Sequence, residues 1–196
     1  MDHGGGSIVA AARYRRGMVF GGWVLRACCI AFVFIPGLAV RAGADAALPR
    51  IRPVDARAAS LLARGSRESP TFAALVASLE QSDTIMHVQE RPPDPRHPMG
   101  ATRLVARAGG FRYLRISLEA GLPDESAIAL LGHELHHAWE IARARWVVDE
   151  ATLVRLYARI GRVHDHDGST RADSSGARAA GAKVFAEVRR HAMASD

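Results

Sequence analysis

The chain has 196 residues, 48% of them apolar and 23% charged, with a formal net charge of +6 and two cysteines. That length supports one domain with a proper core. Both cysteines and five of the 26 basic residues, against one of the 20 acidic ones, fall in residues 1–44. The remainder therefore nets only +2, which argues against nucleic-acid binding, and without a thiol it has neither a disulfide nor a cysteine nucleophile.

The first 44 residues have the pattern of an export signal. Arg13, Arg15, Arg16 and Arg26 make a basic start, and Ala27–Val40 is an uncharged, largely apolar run. Pro36 and Gly37 break it ahead of small residues, where Ala42-x-Ala44 suits a signal peptidase. The run is short of the ~20 apolar residues a membrane-spanning helix needs. The expected division is a signal peptide over 1–44 and one domain over 45–196, placed in the periplasm or secreted. Membrane contact is expected only through the signal segment if it stays uncleaved.

Residues 45–54, with Pro49 and Pro53, suggest an irregular leader. Asp55–Arg64 is helical in composition, with Asp55 as its cap. Ser69-Pro70 opens a second helix whose Phe72, Leu75, Val76 and Leu79 share a face. Ile85–Gln89 is a short strand, and the run Arg91-Pro92-Pro93-Asp94-Pro95 is a loop, because repeated proline continues neither helix nor sheet. Ala101–Ala108 and Phe111–Leu118 then flank Gly109-Gly110, a two-residue hairpin turn. Leu114, Ile116 and Leu118 fall on one side of the second strand, and Tyr113, Arg115 and Ser117 on the other.

Next comes a helix predicted from Pro123 to about Arg143. Pro123 suits its start, and Asp124 and Glu125 suit the positive end of its dipole. Ile128, Leu131, Leu135, Trp139 and Ala142 form an apolar stripe at helical spacing. Beside it stand His133, Glu134 and His137, spelling His-Glu-x-x-His. Positions i and i+4 lie one above the other on a helix, so two imidazoles can face one metal ion. His136 stands i+3 from His133 and offers a second register; His137 is preferred because the spacing to Glu134 then matches the motif. Asp149–Ile160 is a further helix, Val163–Gly176 a polar segment, and Ala177–Ala194 a last helix.

On Leu131–Trp139 the chain resembles the zincin metalloproteases, and small exported bacterial members among them. The resemblance implies an α+β fold: a small antiparallel sheet packed against helices, with the motif helix at a cleft and a free strand edge that an extended peptide can join. It implies Zn2+ held by His133 and His137, with Glu134 as the general base that takes a proton from zinc-bound water. Glu140 lies about 10 Å along the helix axis from His133, too far to reach the same ion. The third ligand is therefore expected from a later element. Asp173, at the start of the last helix where it could also act as a cap, is favoured narrowly over Glu150, His164 and His166. Tyr157, His164 and His166 are candidates for steadying an oxyanion. The expected activity is a zinc-dependent hydrolase, foremost a metallopeptidase with a peptide or protein substrate. The alternatives are a non-catalytic zinc-binding protein of the same build, and a zinc hydrolase of a non-peptide bond.

Overall fold

A computed structural model gives the fold, describing residues 48–166 and 169–195 without the side chains of 162–172. The expected signal peptide, residues 1–44, lies outside the described residues. In chain order the elements are β1 (Ile51–Pro53), α1 (Ala56–Glu68), α2 (Pro70–Glu80), β2 (Thr84–Arg91), β3 (Gly100–Ala108) and β4 (Phe111–Glu119). Then come α3 (Asp124–Arg143), α4 (Glu150–Ile160), β5 (Gly161–His166), β6 (Ser169–Ser174) and α5 (Ser175–Ser195). No described helix is long and apolar enough to cross a membrane.

The class is α+β, but the main sheet is mixed rather than antiparallel. Its order is β1-β2-β4-β3. β1 and β4 each run parallel to β2, and only β3 runs antiparallel to β4. The chain leaves β2 through the proline loop and enters the hairpin at the far edge. It returns as β4 between β3 and β2, so β4 points the same way as β2. β1 was read as irregular leader. It is three residues long, too short for alternation to register, and Pro53 is tolerated because β1 is an edge strand.

Local signals account for most boundaries. Asp55 and Ser69 cap α1 and α2 through bonds from Ala58 N (2.7 Å) and Phe72 N (3.1 Å). Gly109 and Gly110 take φ of 57° and 81°, the left-handed values a primed hairpin turn requires. One face of the sheet buries Met86, Val88, Leu114, Ile116 and Leu118 against the helices. α3 lies at the centre of the helical layer and buries Ile128, Leu131, Leu135, Ala138 and Ile141. Trp139 and Ala142, expected on the stripe, pack at its margin.

Two buried polar anchors fix this arrangement. Arg112, from β4, reaches the carboxyl end of α3, where its guanidinium donates to the carbonyls of Ile141 (2.7 Å), Ala142 (2.9 Å) and Ala144 (3.0 Å). It also pairs with Asp83 at 2.5 Å. Those carbonyls are ones a helix end leaves without intrahelical partners. Glu187, from α5, accepts from Ser69 Oγ (2.5 Å), Thr71 Oγ1 (2.8 Å) and Thr71 N (3.0 Å), which ties α5 to the start of α2. α5 can lie close on α3 because small residues meet large ones there. A Cβ at Gly132 would stand 2.9 Å from Val184 Cγ2, and one at Gly181 3.1 Å from His133 Cβ.

The polar segment expected over Val163–Gly176 contains the hairpin β5–β6 instead. It leads into α5, with Ser174 Oγ accepting from Ala177 N at 3.0 Å. The cap of α5 is thus Ser174, and Asp173 is a strand residue one position earlier.

Candidate metal centre

α3 presents His133 and His137 one turn apart, as i and i+4 positions must lie. Their rings meet edge to face with centroids 4.7 Å apart, and their Nε2 atoms are 3.1 Å from each other. β6 brings Asp173 over them: its Oδ1 lies 3.7 Å from His133 Nε2 and 3.8 Å from His137 Nε2. The three ligand atoms make a triangle able to hold a metal ion. Ligands ~2.0–2.2 Å from a tetrahedral ion are about 3.3–3.6 Å apart, so the triangle is near the size zinc requires. Asp173 Oδ1 is buried without a hydrogen-bond partner. Such an oxygen is costly unless a donor or cation meets it.

The protonation pattern points the same way. His137 Nδ1 lies 2.9 Å from Glu140 Oε2 and 3.0 Å from the Tyr157 hydroxyl. A carboxylate at Nδ1 fixes the proton there, and the lone pair is then on Nε2, facing His133 and Asp173. Burial, and then the proximity of His137, hold the His133 imidazole below its usual pKa, hence neutral and able to ligate. Two imidazole Nε2 atoms and a carboxylate oxygen therefore converge on one point. Ser174 Oγ donates to the other oxygen of Glu140 at 2.5 Å, so the acid is held from the cap of α5 as well.

Glu134 is 3% exposed and faces β3. Its Oε2 accepts from Thr102 Oγ1 at 2.8 Å. Its Oε1 lies where a Cβ on Gly100 would come within 2.6 Å, so the absence of a side chain at Gly100 makes room for the carboxylate. Burial raises its pKa, against the lowering by His137 and by the Thr102 bond. β3 is the sheet edge beside this carboxylate, with one backbone side unpaired by β4.

The sequence candidates divide clearly. His133, His137 and Asp173 are brought together with Glu134 beside them. His136 turns away: its ring lies 5.1 Å from that of Trp139 and abuts Gly176, and its Nδ1 is 3.4 Å from Glu140. Glu150 is exposed at the start of α4 and is not among the clustered residues. His164 and His166 lie on β5, and their side chains are outside the described residues. The Tyr157 hydroxyl, a candidate for steadying an oxyanion, rests against His137 Nδ1; burial foremost, then the charges of Glu140, Glu134 and Asp173, keep it protonated. Glu140, too far along the helix to ligate the same ion as His133, instead orients His137. The i,i+3 spacing from His137 carries that signal.

A groove of about 420 Å³ opens beside His133, lined by Met99, Leu122, Leu130 and Phe185 among others, with Arg178 also on its wall. Comparison with protein-family models, with curated proteins and with solved structures gives no match. The resemblance thus stays with the motif.

Proposed function

We propose that the protein is a zinc-dependent hydrolase, foremost a metallopeptidase. The observation that carries this reading is the triangle of His133 Nε2, His137 Nε2 and the unpartnered Asp173 Oδ1, next to a buried carboxylate that is not part of it. A ligand set of two imidazoles and one carboxylate suits catalytic zinc, which keeps three protein ligands and leaves a position open. When bound, zinc would supply an electrophile for a carbonyl and lower the pKa of water toward neutrality.

The residues of the chain divide the remaining work. His133, His137 and Asp173 would hold the ion. Glu140 keeps the proton of His137 on Nδ1 and the ring in register. Glu134, steadied by Thr102, accepts a proton from the attacking water and returns it to the leaving amine. A substrate in extended form can pair with the open edge of β3, which runs past Glu134. An apolar side chain next to the scissile bond would find the groove beside His133. The edge and the groove favour a peptide over a compact non-peptide substrate.

Glu134→Gln tests the reading. The amide keeps the shape of the carboxylate but cannot take the proton. Zinc content is expected to stay at the parent level, while cleavage of a peptide library falls by roughly 10²-fold or more. Unchanged turnover would place the activity elsewhere. If the parent carries zinc yet cleaves no peptide, ester or cell-wall substrate, the non-catalytic zinc-binding reading replaces this one.

A further inference from the structure

The face of the main sheet turned away from the helices carries a row of basic side chains, three arginines and a histidine. Strand register sets Arg52 beside His87, His87 beside Arg115, and Arg115 beside Arg103, so one basic row crosses all four strands. Arg103 and Arg115 are exposed, and Arg52 and His87 are half-buried. None of the three arginines pairs with an acid among the described residues, although acids elsewhere on the fold are engaged, as Asp124 is by Arg57 and Arg64. Like charges directly opposite on neighbouring strands destabilise a sheet. The Arg103–Arg115 pair thus lowers stability, and no ion pair with an acid among the described residues offsets it.

The same face exposes apolar surface. Val54, just after β1, and Val105, on β3, are 58% and 51% exposed and line a shallow hollow with His87 and Arg115. Isolated exposed valines are ordinary. Two beside an unpaired cationic row make a surface that is basic and apolar together.

We propose that this sheet face docks on an anionic phospholipid bilayer. The occupant is argued from charge complementarity and shape. Four basic groups on one row of a sheet can meet a plane of phosphates together, and two flanking valines can enter the headgroup boundary. A single-stranded nucleic acid fits less well, because it needs a succession of aromatic rings to stack on, and the lining of the hollow offers the Tyr113 ring and the His87 imidazole with no Phe or Trp. The amino-terminal 44 residues do not complement the face either, since they hold five arginines against one aspartate. The inference is independent of the metal centre.

The test is sedimentation of the full-length protein with vesicles of phosphatidylcholine alone and of phosphatidylcholine mixed with phosphatidylglycerol. The parent should partition more strongly onto the mixed vesicles. Arg103→Ala/Arg115→Ala should weaken that partitioning by roughly thirty-fold, at about five-fold per basic group held near an anionic surface. Added salt should weaken the parent in the same direction. Arg103→Lys/Arg115→Lys keeps the charge and should retain binding. Arg155→Ala/Arg190→Ala, which removes the same charge from α4 and α5, should retain it too. The amino-terminal segment is common to all variants, so a loss confined to the Arg103/Arg115 alanine variant belongs to the sheet face. Equal partitioning of the parent and the Arg103/Arg115 alanine variant onto mixed vesicles would overturn the proposal. So would loss of binding in the lysine variant, or tighter binding of the parent to an oligonucleotide than to the mixed vesicles.

Discussion

Two imidazole nitrogens and one carboxylate oxygen converge in the protein, and Glu140 decides how they present themselves. Its Oε2 holds the proton of His137 on Nδ1, and its other oxygen is held by Ser174. Without that acid the ring could turn or adopt the other tautomer, and Nε2 would no longer be a dependable ligand. Glu140→Gln is expected to lower zinc affinity by about 10- to 100-fold, the usual effect of losing such an outer partner. The measurement is a competition titration with a zinc-binding dye. His136→Ala should change that affinity little, although its Nδ1 also approaches Glu140. A greater loss from His136→Ala than from Glu140→Gln would show that the ligand register starting from His133 has been misassigned.

The site depends on how α3 is held, and at its carboxyl end the hold is a buried guanidinium. Arg112 is 2% exposed and ties the last carbonyls of α3 to β4. Arg112→Met would fill part of the space but leave the Ala142 carbonyl without its donor and Asp83 without its partner. At ~1–3 kcal/mol for an unsatisfied buried group, the expected cost is about 2 kcal/mol, and Tm should fall by roughly 4–8 °C. A thermal melt that matches the parent would show that water replaces the guanidinium at no cost. Long, amphipathic or capped elements were readable in the amino-acid order: α1, α2, α3, α4 and the β3–β4 hairpin all carry a cap, an apolar face or a Gly-Gly turn. β1 was missed because three residues show no period. β5 and β6 escape sequence reading because, Val163 and Ala172 apart, they carry no apolar residue and no alternation, leaving only Asp167-Gly168 between the two runs as a hairpin signal. The parallel pairing of β2 with β4 depends on where the hairpin inserts, a long-range choice that alternation along one strand does not encode. In the site, the spacing of His133, Glu134 and His137 could be read directly. Asp173 required a guess about how the chain turns back, and its placement on a strand rather than at a helix cap came from contacts distant in sequence.

Across the molecule, the candidate site joins three elements that sequence separates: α3 carries His133 and His137, β6 carries Asp173, and β3 carries Gly100 and Thr102 beside Glu134. A bound ion would therefore cross-link the carboxyl-terminal hairpin and α5 to the centre of the fold. Anything that binds the folded chain alone stabilises it by about 2.7 kcal/mol at 100 times its Kd. Chelation of a zinc-loaded sample should accordingly lower Tm by roughly 5–10 °C, and His137→Ala should abolish that difference. An equal chelator effect in His137→Ala would place the metal elsewhere.

The central claim is that His133, His137 and Asp173 together hold one zinc ion. Elemental analysis of the purified protein after exposure to zinc and removal of loosely bound metal tests it most directly. About one zinc per chain is expected for the parent, with much less for Asp173→Ala and near-parent content for Glu150→Ala. A parent that retains no zinc, or an Asp173→Ala variant that retains as much as the parent, would contradict the account.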